Sequence, residues 1–360
     1  MIESMSVLTR SLPAIVHIVR RYGHVGGMES YVWELTKGLA ARGVQIIVVC
    51  EEVCSEITPD ITVLTVPVSR PRPRWKSMKS FRAHVAALIA SGELDGSIIH
   101  SHERTEGHHV TTFHGPPIVA SRRLSVWQLL SRRVRQWRKM ESEELLGKSV
   151  QAVLPVSSWV LNRLISCYPE LSGTFTRVAW PGVHPPAGAP EIGSRSVSSR
   201  FLFVGKEFAR KGLTNAVRIV DAYCRLSGVN ATLDVVGPSI QELPKEIRGA
   251  NFVHAVGWLQ QIDYAGYSAL IHPAKAEPFG MVVTEARRVG LPVICSDQTG
   301  AGEIESVGVL VIPLDQSPEV WASGLVDLLA RDMAKEPEVA WSWSDLVDLH
   351  IREIYPKIRI

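Results

Sequence analysis

The chain contains 360 residues, of which 46% are hydrophobic and 21% are charged. One typical hydrophobic core does not extend over that length, so the sequence favours two α/β domains of ordinary size. The formal net charge is only +3. Positive and negative charges are therefore nearly balanced, which gives no indication of nucleic-acid binding. No segment approaches the roughly 20 apolar residues that a membrane-spanning helix needs.

Five cysteines are scattered along the chain, and most fall in runs typical of strands or helices. Their odd number and irregular spacing favour buried thiols in a reducing compartment over a disulfide framework. The apolar run 13–19 is short, lacks a cleavage site and leads directly into Arg20 and Arg21, so no secretory signal is predicted. We therefore expect a cytoplasmic protein that can still be peripheral on the inner face of a membrane.

The N-terminal half alternates short apolar runs with helical patterns, which is typical of a parallel sheet covered by helices. Strands are predicted over residues 14–19, 44–50, 61–66, 97–100, 151–156 and 177–180, and in a run from 108 that ends in His114-Gly115. Helices are predicted over about 29–42, 81–91, 121–147 and 157–167. The proline- and arginine-rich stretch 67–73 is expected to be irregular.

Gly26 and Gly27 lie between the first predicted strand and the helix that follows it. Two glycines here let the backbone approach a ligand closely, and the helix directs its dipole at that ligand. The pair is not the Gly-x-Gly-x-x-Gly pattern of dinucleotide-binding sites, which argues against a nicotinamide cofactor. A plain tight turn between strand and helix is the alternative interpretation.

Five histidines fall within fifteen residues, from His100 to His114. The run lacks nearby cysteines and the His-x-x-x-His spacing of a helical metal site, and its histidines fall on different elements, so no metal site is predicted. His114 differs from the others because it ends a predicted strand, where open parallel sheets place their ligands. It is therefore a candidate ligand contact, with a structural capping or core histidine as the alternative.

The predicted helix 121–147 combines an apolar stripe with a basic face. Its stripe consists of Leu124, Trp127, Leu130, Val134, Trp137 and Met140, and its basic residues are Arg122, Arg123, Arg132, Arg133, Arg135, Arg138 and Lys139. This pattern suits a helix that lies on an anionic membrane surface. It equally suits a stripe that packs on the core beside a solvated basic face.

The segment 183–199 is rich in proline, glycine and serine and is interpreted as a linker. It divides an N-terminal domain, 1–182, from a C-terminal domain, 200–340, and a tail, 341–360, follows. Further strands are predicted at 201–204, 232–236, 252–256, 268–272, 292–296 and 309–312. Their regular alternation with other segments indicates a second parallel sheet.

Two groups of residues in the C-terminal half carry the predicted chemistry. Lys206, Arg210 and Lys211 follow a strand that breaks at a glycine, where cations can hold a diphosphate and neutralise charge on a leaving phosphate. Glu277 precedes a helix that is expected to begin near Phe279, whose first amides favour an anion. Glu277 can accept hydrogen bonds from hydroxyls on a group attached to that diphosphate, and Glu285, about two turns on, can reach the hydroxyls of a ribose.

The stretch from Ile271 to Ile294 resembles the donor-site signature of the GT-B retaining glycosyltransferases, family four in particular. The residues that carry the resemblance are Ile-His-Pro, Glu-Pro-Phe-Gly, Thr-Glu-Ala and Gly-Leu-Pro-Val-Ile. It extends over nearly the whole chain and implies a GT-B fold, in which two Rossmann-like doubly wound domains face each other across a cleft. It also implies a metal-independent, retaining transfer of a sugar from a nucleotide-diphosphate sugar, with no separate cofactor, to a saccharide or glycolipid acceptor such as a lipopolysaccharide core.

The resemblance also assigns roles to individual residues. Expected catalytic residues are Glu277, His114 and Lys211, and expected donor contacts are Gly26, Gly27, Lys206, Arg210, Lys211, Gly257, Phe279, Gly280, Met281 and Glu285. The family usually has arginine directly after Gly205, where this chain has Lys206, so either Lys206 or Arg210 can grip the phosphate. The basic helix resembles the membrane-contacting region of lipopolysaccharide-core sugar transferases, and the tail resembles a closing helix that crosses back to the first domain.

Two other classes of function are compatible with the sequence. A related GT-B enzyme could epimerise or hydrolyse the nucleotide sugar without any acceptor. A non-catalytic, bilobal small-molecule-binding protein would explain two α/β lobes, but it would not explain the lysine pair or the lack of a predicted export signal.

Overall fold

A computed structural model describes residues 12–118, 131–185, 199–332 and 338–360. The chain divides into two compact units. Unit 1 comprises residues 1–182 and 343–360, and unit 2 comprises residues 183–342. Most of the predicted linker, residues 186–198, lies outside the described residues.

Unit 1 is built on a parallel sheet of seven strands in the order β5-β3-β1-β6-β7-β8-β9. Its strands, with the separate two-stranded pair β2 and β4, are β1 (Ile15–Ile18), β2 (Arg21–Tyr22), β3 (Ile46–Cys50), β4 (Glu52–Val53), β5 (Ile61–Thr65), β6 (Ile98–Ser101), β7 (Val110–Phe113), β8 (Ala152–Pro155) and β9 (Phe175–Thr176). Its helices before residue 183 are α1 (Gly27–Ala40), α2 (Arg74–Ala90), α3 (Arg132–Leu146) and α4 (Ser158–Cys167).

Unit 2 is built on a parallel sheet of six strands in the order β12-β11-β10-β13-β14-β15. The strands are β10 (Arg200–Val204), β11 (Thr232–Val236), β12 (Val253–Gly257), β13 (Ala269–His272), β14 (Val293–Ser296) and β15 (Val309–Ile312). The helices are α5 (Phe208–Lys211), α6 (Leu213–Ser227), α7 (Lys245–Arg248), α8 (Met281–Arg288) and α9 (Pro318–Leu329). The predicted α/β class with two doubly wound parallel sheets is confirmed.

The C-terminal segment belongs to unit 1. It begins with α10 (Trp343–Leu349) and continues through a wider π-helical turn, His350–Ile354, and a 3₁₀ turn, Tyr355–Lys357. Val347 of α10 packs directly over Gly38 of α1, where an added Cβ would lie 2.5 Å from the valine side chain. The tail is thereby fixed on the first helix of unit 1.

Both sheets reverse their strand order next to their first strand. In unit 1 the reversal lies between β1 and β6, and in unit 2 it lies between β10 and β13. Crevices at the carboxyl ends of such strands are the usual ligand sites of open α/β sheets. The loops that follow these four strands are therefore the expected positions of a ligand site.

Several sequence predictions were wrong in detail. Helix α2 begins at Arg74 rather than at 81, because Pro73 supplies an extended residue just before the first turn. The last strand of unit 1 is Phe175–Thr176 rather than 177–180. The short pair β2 and β4 was not predicted, and neither was α9, whose Trp321 and Leu325 complete the core of unit 2. The cysteines are free, as expected, but Cys54 is exposed.

Candidate active site

The candidate active site lies in unit 2, on the loops after β10 and β13. Gly205 permits the loop after β10 to fold back, because a Cβ there would lie 2.2 Å from Cδ of Lys211. Gly212 has a φ of +83° and sits against the carbonyl of Pro273, where a Cβ would be 1.9 Å from the oxygen. A Cβ at Gly212 would collide with backbone, and one at Gly205 would displace the Lys211 side chain. The two close approaches bring α5 against the end of β13 and orient Lys211 inward.

Glu277 is the centre of this site. Its Oε2 lies 3.3 Å from Nζ of Lys211 and 3.3 Å from Nη1 of Arg210. Arg210 also donates to the carbonyl of Ala276 and, through Nε, to Glu207 at 2.7 Å. The predicted acidic and basic residues of the C-terminal half therefore meet, and Arg210 takes the second cationic position.

The Glu277 carboxylate remains charged although its side chain is buried. Burial acts to raise its pKa, but the neighbouring His272, Lys211 and Arg210 outweigh burial and lower the pKa to about 2. The carboxylate is therefore an acceptor at neutral pH, able to receive hydrogen bonds from hydroxyl groups.

His272, at the end of β13, lies directly behind the carboxylate. Its Nε2 is 3.7 Å from Glu277 Oε2, beyond hydrogen-bonding distance. The ring is fully buried, and within the described residues neither of its nitrogens has a hydrogen-bond partner. His272 was not among the predicted site residues, although a histidine within an otherwise apolar strand was the available signal.

The loop after β14 fixes the Glu277 loop through three backbone hydrogen bonds. The Glu277 N–H donates to the Gln298 carbonyl at 2.9 Å, and the Gly300 N–H donates to the Glu277 carbonyl at 3.0 Å. The Ala301 N–H donates to the Phe279 carbonyl at 2.7 Å. The glycine-rich segment 298–303 therefore holds the Glu277 loop in place.

Gly280 turns the chain into α8. Its φ is +95°, and an added Cβ would lie 3.1 Å from Cγ of Glu277 and 3.1 Å from Cγ2 of Thr299. Because α8 begins at Met281, the first amides of this helix precede its regular hydrogen-bond ladder. Of these, the Val283 N–H donates to the Gly280 carbonyl at 2.9 Å. The helix start therefore presents amides beside Glu277, as the sequence predicted.

Glu285 lies on α8, as predicted. Its hydrogen-bond partner, Tyr264, was not predicted. Tyr264 donates its hydroxyl to Glu285 Oε2 at 3.0 Å, and the tyrosine is buried. This bond fixes one carboxylate oxygen, and within the described residues no hydrogen bond engages Oε1. Tyr264 carried no pattern that could have identified it in the sequence.

Two other predicted donor contacts lie elsewhere in unit 2. Lys206 is exposed, and its charge acts on Glu242, where hydrogen bonds from Ser239 with a contribution from Lys206 lower the carboxylate pKa. Gly257 ends β12 with a φ of +80° and precedes Trp258, which is 73% exposed. Neither residue is among those that contact the Glu277 carboxylate.

The predicted contacts of unit 1 lie around α1 and the end of β7. Gly26 precedes α1 in an extended conformation, and a Cβ there would lie 2.7 Å from Oε2 of Glu29. His114 follows β7 and packs edge-on against Tyr31 of α1, with ring centroids 4.9 Å apart. Burial lowers the pKa of His114 to about 3, so its ring is neutral at pH 7.

The described part of the basic helix supports the core-facing interpretation of its apolar stripe. Trp137 and Met140 of α3 pack on the core of unit 1, while Arg135, Arg138 and Lys139 are exposed. Residues 121–130, including Leu124, Trp127 and Leu130, lie outside the described residues. None of the helices in the described parts of the chain combines enough length and hydrophobicity to span a bilayer.

Two family models and several curated proteins match this chain. The family model described as Glycosyltransferase Family 4 matches residues 25–185, and the one described as Glycosyl transferases group 1 matches residues 190–339. A phosphatidyl-myo-inositol mannosyltransferase from Mycobacterium leprae is 26% identical over 92% of this chain and 93% of its own length. A glycogen synthase from Mycobacterium tuberculosis is 26% identical over 44% of this chain and 43% of its own.

Two solved structures have the same fold. WaaG, a glycosyltransferase involved in lipopolysaccharide biosynthesis, superposes with a TM-score of 0.69 at 19% identity, covering 95% of this chain and 96% of its own. HepE from Anabaena, solved in complex with UDP and glucose, superposes with a TM-score of 0.60 at 15% identity, covering 96% of this chain and 97% of its own. These likenesses confirm the predicted GT-B fold.

Proposed function

The chain belongs to the glycosyltransferases described by Glycosyltransferase Family 4 and Glycosyl transferases group 1, and we propose that it is a retaining, metal-independent enzyme that transfers a sugar from a nucleotide-diphosphate sugar to a saccharide or glycolipid. The observation that carries this proposal is the meeting of Lys211, Arg210 and Glu277 beside the start of α8. The two cations and the helix amides suit a diphosphate. The carboxylate suits the hydroxyls of the attached sugar.

The cations supply the charge stabilisation that the transfer needs. When the bond between the anomeric carbon and the diphosphate breaks, negative charge builds on the leaving oxygen. The Lys211 ammonium and the Arg210 guanidinium are placed to neutralise it, together with the first amides of α8, where other enzymes use a divalent ion. The acceptor hydroxyl bonds to the anomeric carbon on the same face, and its proton goes to the departing phosphate.

The ion pairs between Glu277 and its two cationic neighbours belong to the substrate-free state of the protein. A diphosphate that enters the site takes up Lys211 and Arg210 as its own counterions, which frees the Glu277 carboxylate to accept hydrogen bonds from sugar hydroxyls. Glu285, fixed by Tyr264 through one oxygen, holds the ribose through the other. In unit 1, Gly26 and Gly27 allow close backbone approach, and His114 contacts the sugar.

A lipid-linked acceptor is favoured by the exposed basic face of α3. One relative is named as a phosphatidyl-myo-inositol mannosyltransferase and one structural neighbour as an enzyme of lipopolysaccharide biosynthesis. Arg135, Arg138 and Lys139 can hold α3 against anionic headgroups, each contributing roughly 1 kcal/mol near the surface. This contact needs no apolar insertion, so it is compatible with the packing of Trp137 on the core.

The proposal is tested by transfer assays on Glu277→Ala and Lys211→Ala. Both variants are expected to lose sugar transfer to a saccharide acceptor, and near wild-type transfer in both would show that the site is wrongly assigned. Thermal-shift screening against a panel of nucleotide sugars identifies the donor. Product analysis by NMR then reports the anomeric configuration, and incubation with donor alone separates a transferase from an epimerase or hydrolase.

A further inference from the structure

The side chain of His272 is buried beside the candidate active site without a hydrogen bond of its own. It ends β13, and its ring is fully buried. Among the described residues it is the only histidine whose two ring nitrogens are both buried and both without a hydrogen-bond partner. A buried polar group without a partner costs free energy, so an apolar side chain would fill a purely structural position better.

The ring cannot move far to find a partner, because its backbone is fixed inside the sheet. β13 lies between β10 and β14, and His272 pairs in register with Cys295 of β14. The His272 carbonyl also accepts a hydrogen bond from the Ala274 N–H at 2.9 Å. A hydrogen bond to this ring therefore forms only when a neighbouring side chain moves toward it.

The Glu277 carboxylate is placed to make that movement. Its Oε2 lies 3.7 Å from Nε2 of His272, so an approach of roughly 0.5 Å brings the two atoms within hydrogen-bonding distance. The gap is too short for a well-angled bridging water, which needs roughly 2.8 Å on each side. Gly280 leaves space beside both groups, since an added Cβ there would lie 3.1 Å from Cγ of Glu277 and 3.8 Å from Nε2 of His272.

The cationic contacts of Glu277 converge on one of its two carboxylate oxygens. Nζ of Lys211 and Nη1 of Arg210 both lie 3.3 Å from Oε2, the atom that also faces His272. Within the described residues no hydrogen bond engages the other oxygen, Oε1. The carboxylate is therefore anchored through Oε2 alone.

The same carboxylate determines which nitrogen of His272 carries the proton. Burial lowers the pKa of His272 below its ordinary value, so the ring is neutral at pH 7 and has a single N–H. A carboxylate oxygen attracts an N–H and repels a lone pair, and Nε2 is the nitrogen that faces Glu277. With the proton on Nε2, His272 can donate to Oε2 without any change in protonation.

We propose that His272 is a positioning residue that holds the Glu277 carboxylate in the donor complex. The inference rests on the proposed function, in which a diphosphate takes Lys211 and Arg210 away from Glu277. Oε2 then loses both cations, moves toward the ring and accepts a hydrogen bond from Nε2 of His272. That bond replaces part of the lost ion pairing and keeps Oε1 directed at a hydroxyl of the sugar.

Two substitutions, His272→Gln and His272→Met, separate this role from simple filling of the core. Glutamine and methionine are similar in length and volume, but only glutamine ends in an N–H donor. Transfer kcat/KM is expected to fall about 10- to 100-fold in His272→Met, the value of one hydrogen bond to a charged group, whereas His272→Gln keeps most of the wild-type value. Affinity for the nucleoside diphosphate without its sugar changes far less, which is the reverse of the pattern expected for Lys211→Ala.

NMR of ¹⁵N-labelled histidines in the full chain at pH 7 observes the hydrogen bond directly, with the His272→Gln spectrum to assign the signals. We expect His272 as the Nε2–H tautomer. Saturation with whichever of UDP, ADP and GDP binds most tightly should move its Hε2 signal downfield and slow the exchange of that proton with water. His350 is the internal reference for the opposite tautomer, because its Nδ1 lies 2.8 Å from the carbonyl of Leu346.

Equal transfer by His272→Gln and His272→Met would overturn the inference, whether both match the wild type or both lose activity to the same extent. An Nδ1–H tautomer, or an Hε2 signal that the bound diphosphate leaves unchanged, would also overturn it. Thermal denaturation shows whether each variant is folded, and if neither is, the wild-type spectrum decides. Failure of the proposed function is distinguishable, because the wild-type protein would then bind none of the diphosphates and transfer no sugar.

Discussion

Replacing Glu277 by glutamine tests the electrostatics of the site without changing its shape. The neighbouring His272, Lys211 and Arg210 overcome the effect of burial and hold the carboxylate pKa at about 2, against 4.5 for the ordinary value. A shift of that size corresponds to about 3 kcal/mol of stability when the carboxylate is ionised in both states. Glutamine keeps the volume but removes the charge and therefore this contribution.

The sign of the effect determines its pH window. Because the folded pKa is depressed, the stabilisation is fully present above pH 4.5 and is lost as the pH falls toward 2. The stability difference between wild type and Glu277→Gln is expected to be about 3 kcal/mol at pH 7 and about 1 kcal/mol at pH 3. Effects of titrating groups that do not interact with Glu277 cancel in this difference.

Urea denaturation of both proteins across that pH range measures the difference. Glu207→Gln is the control, because Glu207 pairs with the same Arg210 but its side chain is 69% exposed. An exposed pair contributes about 0–1 kcal/mol, so this variant should show little pH-dependent change. A Glu277→Gln difference that does not vary between pH 7 and pH 3 would refute the charge arrangement described for the site.

Three further substitutions test single features of the structure. Tyr264→Phe removes the hydroxyl that fixes Glu285, so the KM for the donor should rise about fivefold in steady-state assays, and an unchanged KM would contradict that role. Gly280→Ala should lower stability in thermal denaturation by more than Gly228→Ala, because both glycines have positive φ but only Gly280 has neighbours that a Cβ would crowd. Equal losses would show that the crowding is unimportant. Arg138→Glu should weaken binding to vesicles that contain anionic lipid but not to neutral vesicles, and equal partitioning of the wild type between the two would contradict the membrane contact.

Local pattern was sufficient to predict most of the sheet architecture. A buried parallel strand is a short run of apolar residues between turns, and β11 and β15 have the predicted bounds. Helix boundaries were less well predicted, because the polar first turns of α2 do not show a clear apolar stripe. Helix α9 was missed, although Pro318 and Glu319 in its first turn are ordinary helix-start residues.

The parts of the candidate site that are formed by residues close together in the sequence could be predicted. Glu277, Gly280 and the start of α8 lie within five residues of one another, so their sequence order largely fixes their relation. The choice of Arg210 over Lys206 beside Glu277 was not predictable, since it depends on how α5 packs against the end of β13. For the same reason the sequence did not show that His17, His102 and Tyr355 meet, because their contacts join β1, the end of β6 and the C-terminal turn.

The central claim is that Lys211 and its neighbours bind a nucleoside diphosphate without a divalent ion. Calorimetric titration of UDP, ADP and GDP in the presence of a chelator, into wild type, Lys211→Ala and Lys245→Ala, tests it most directly. Lys245 is an exposed lysine of the same unit, so its variant should bind as the wild type does. We expect Lys211→Ala to bind the preferred diphosphate about 10- to 100-fold more weakly, the value of one charge-assisted hydrogen bond. Equal binding by all three proteins, or binding by the wild type only when magnesium is added, would contradict it.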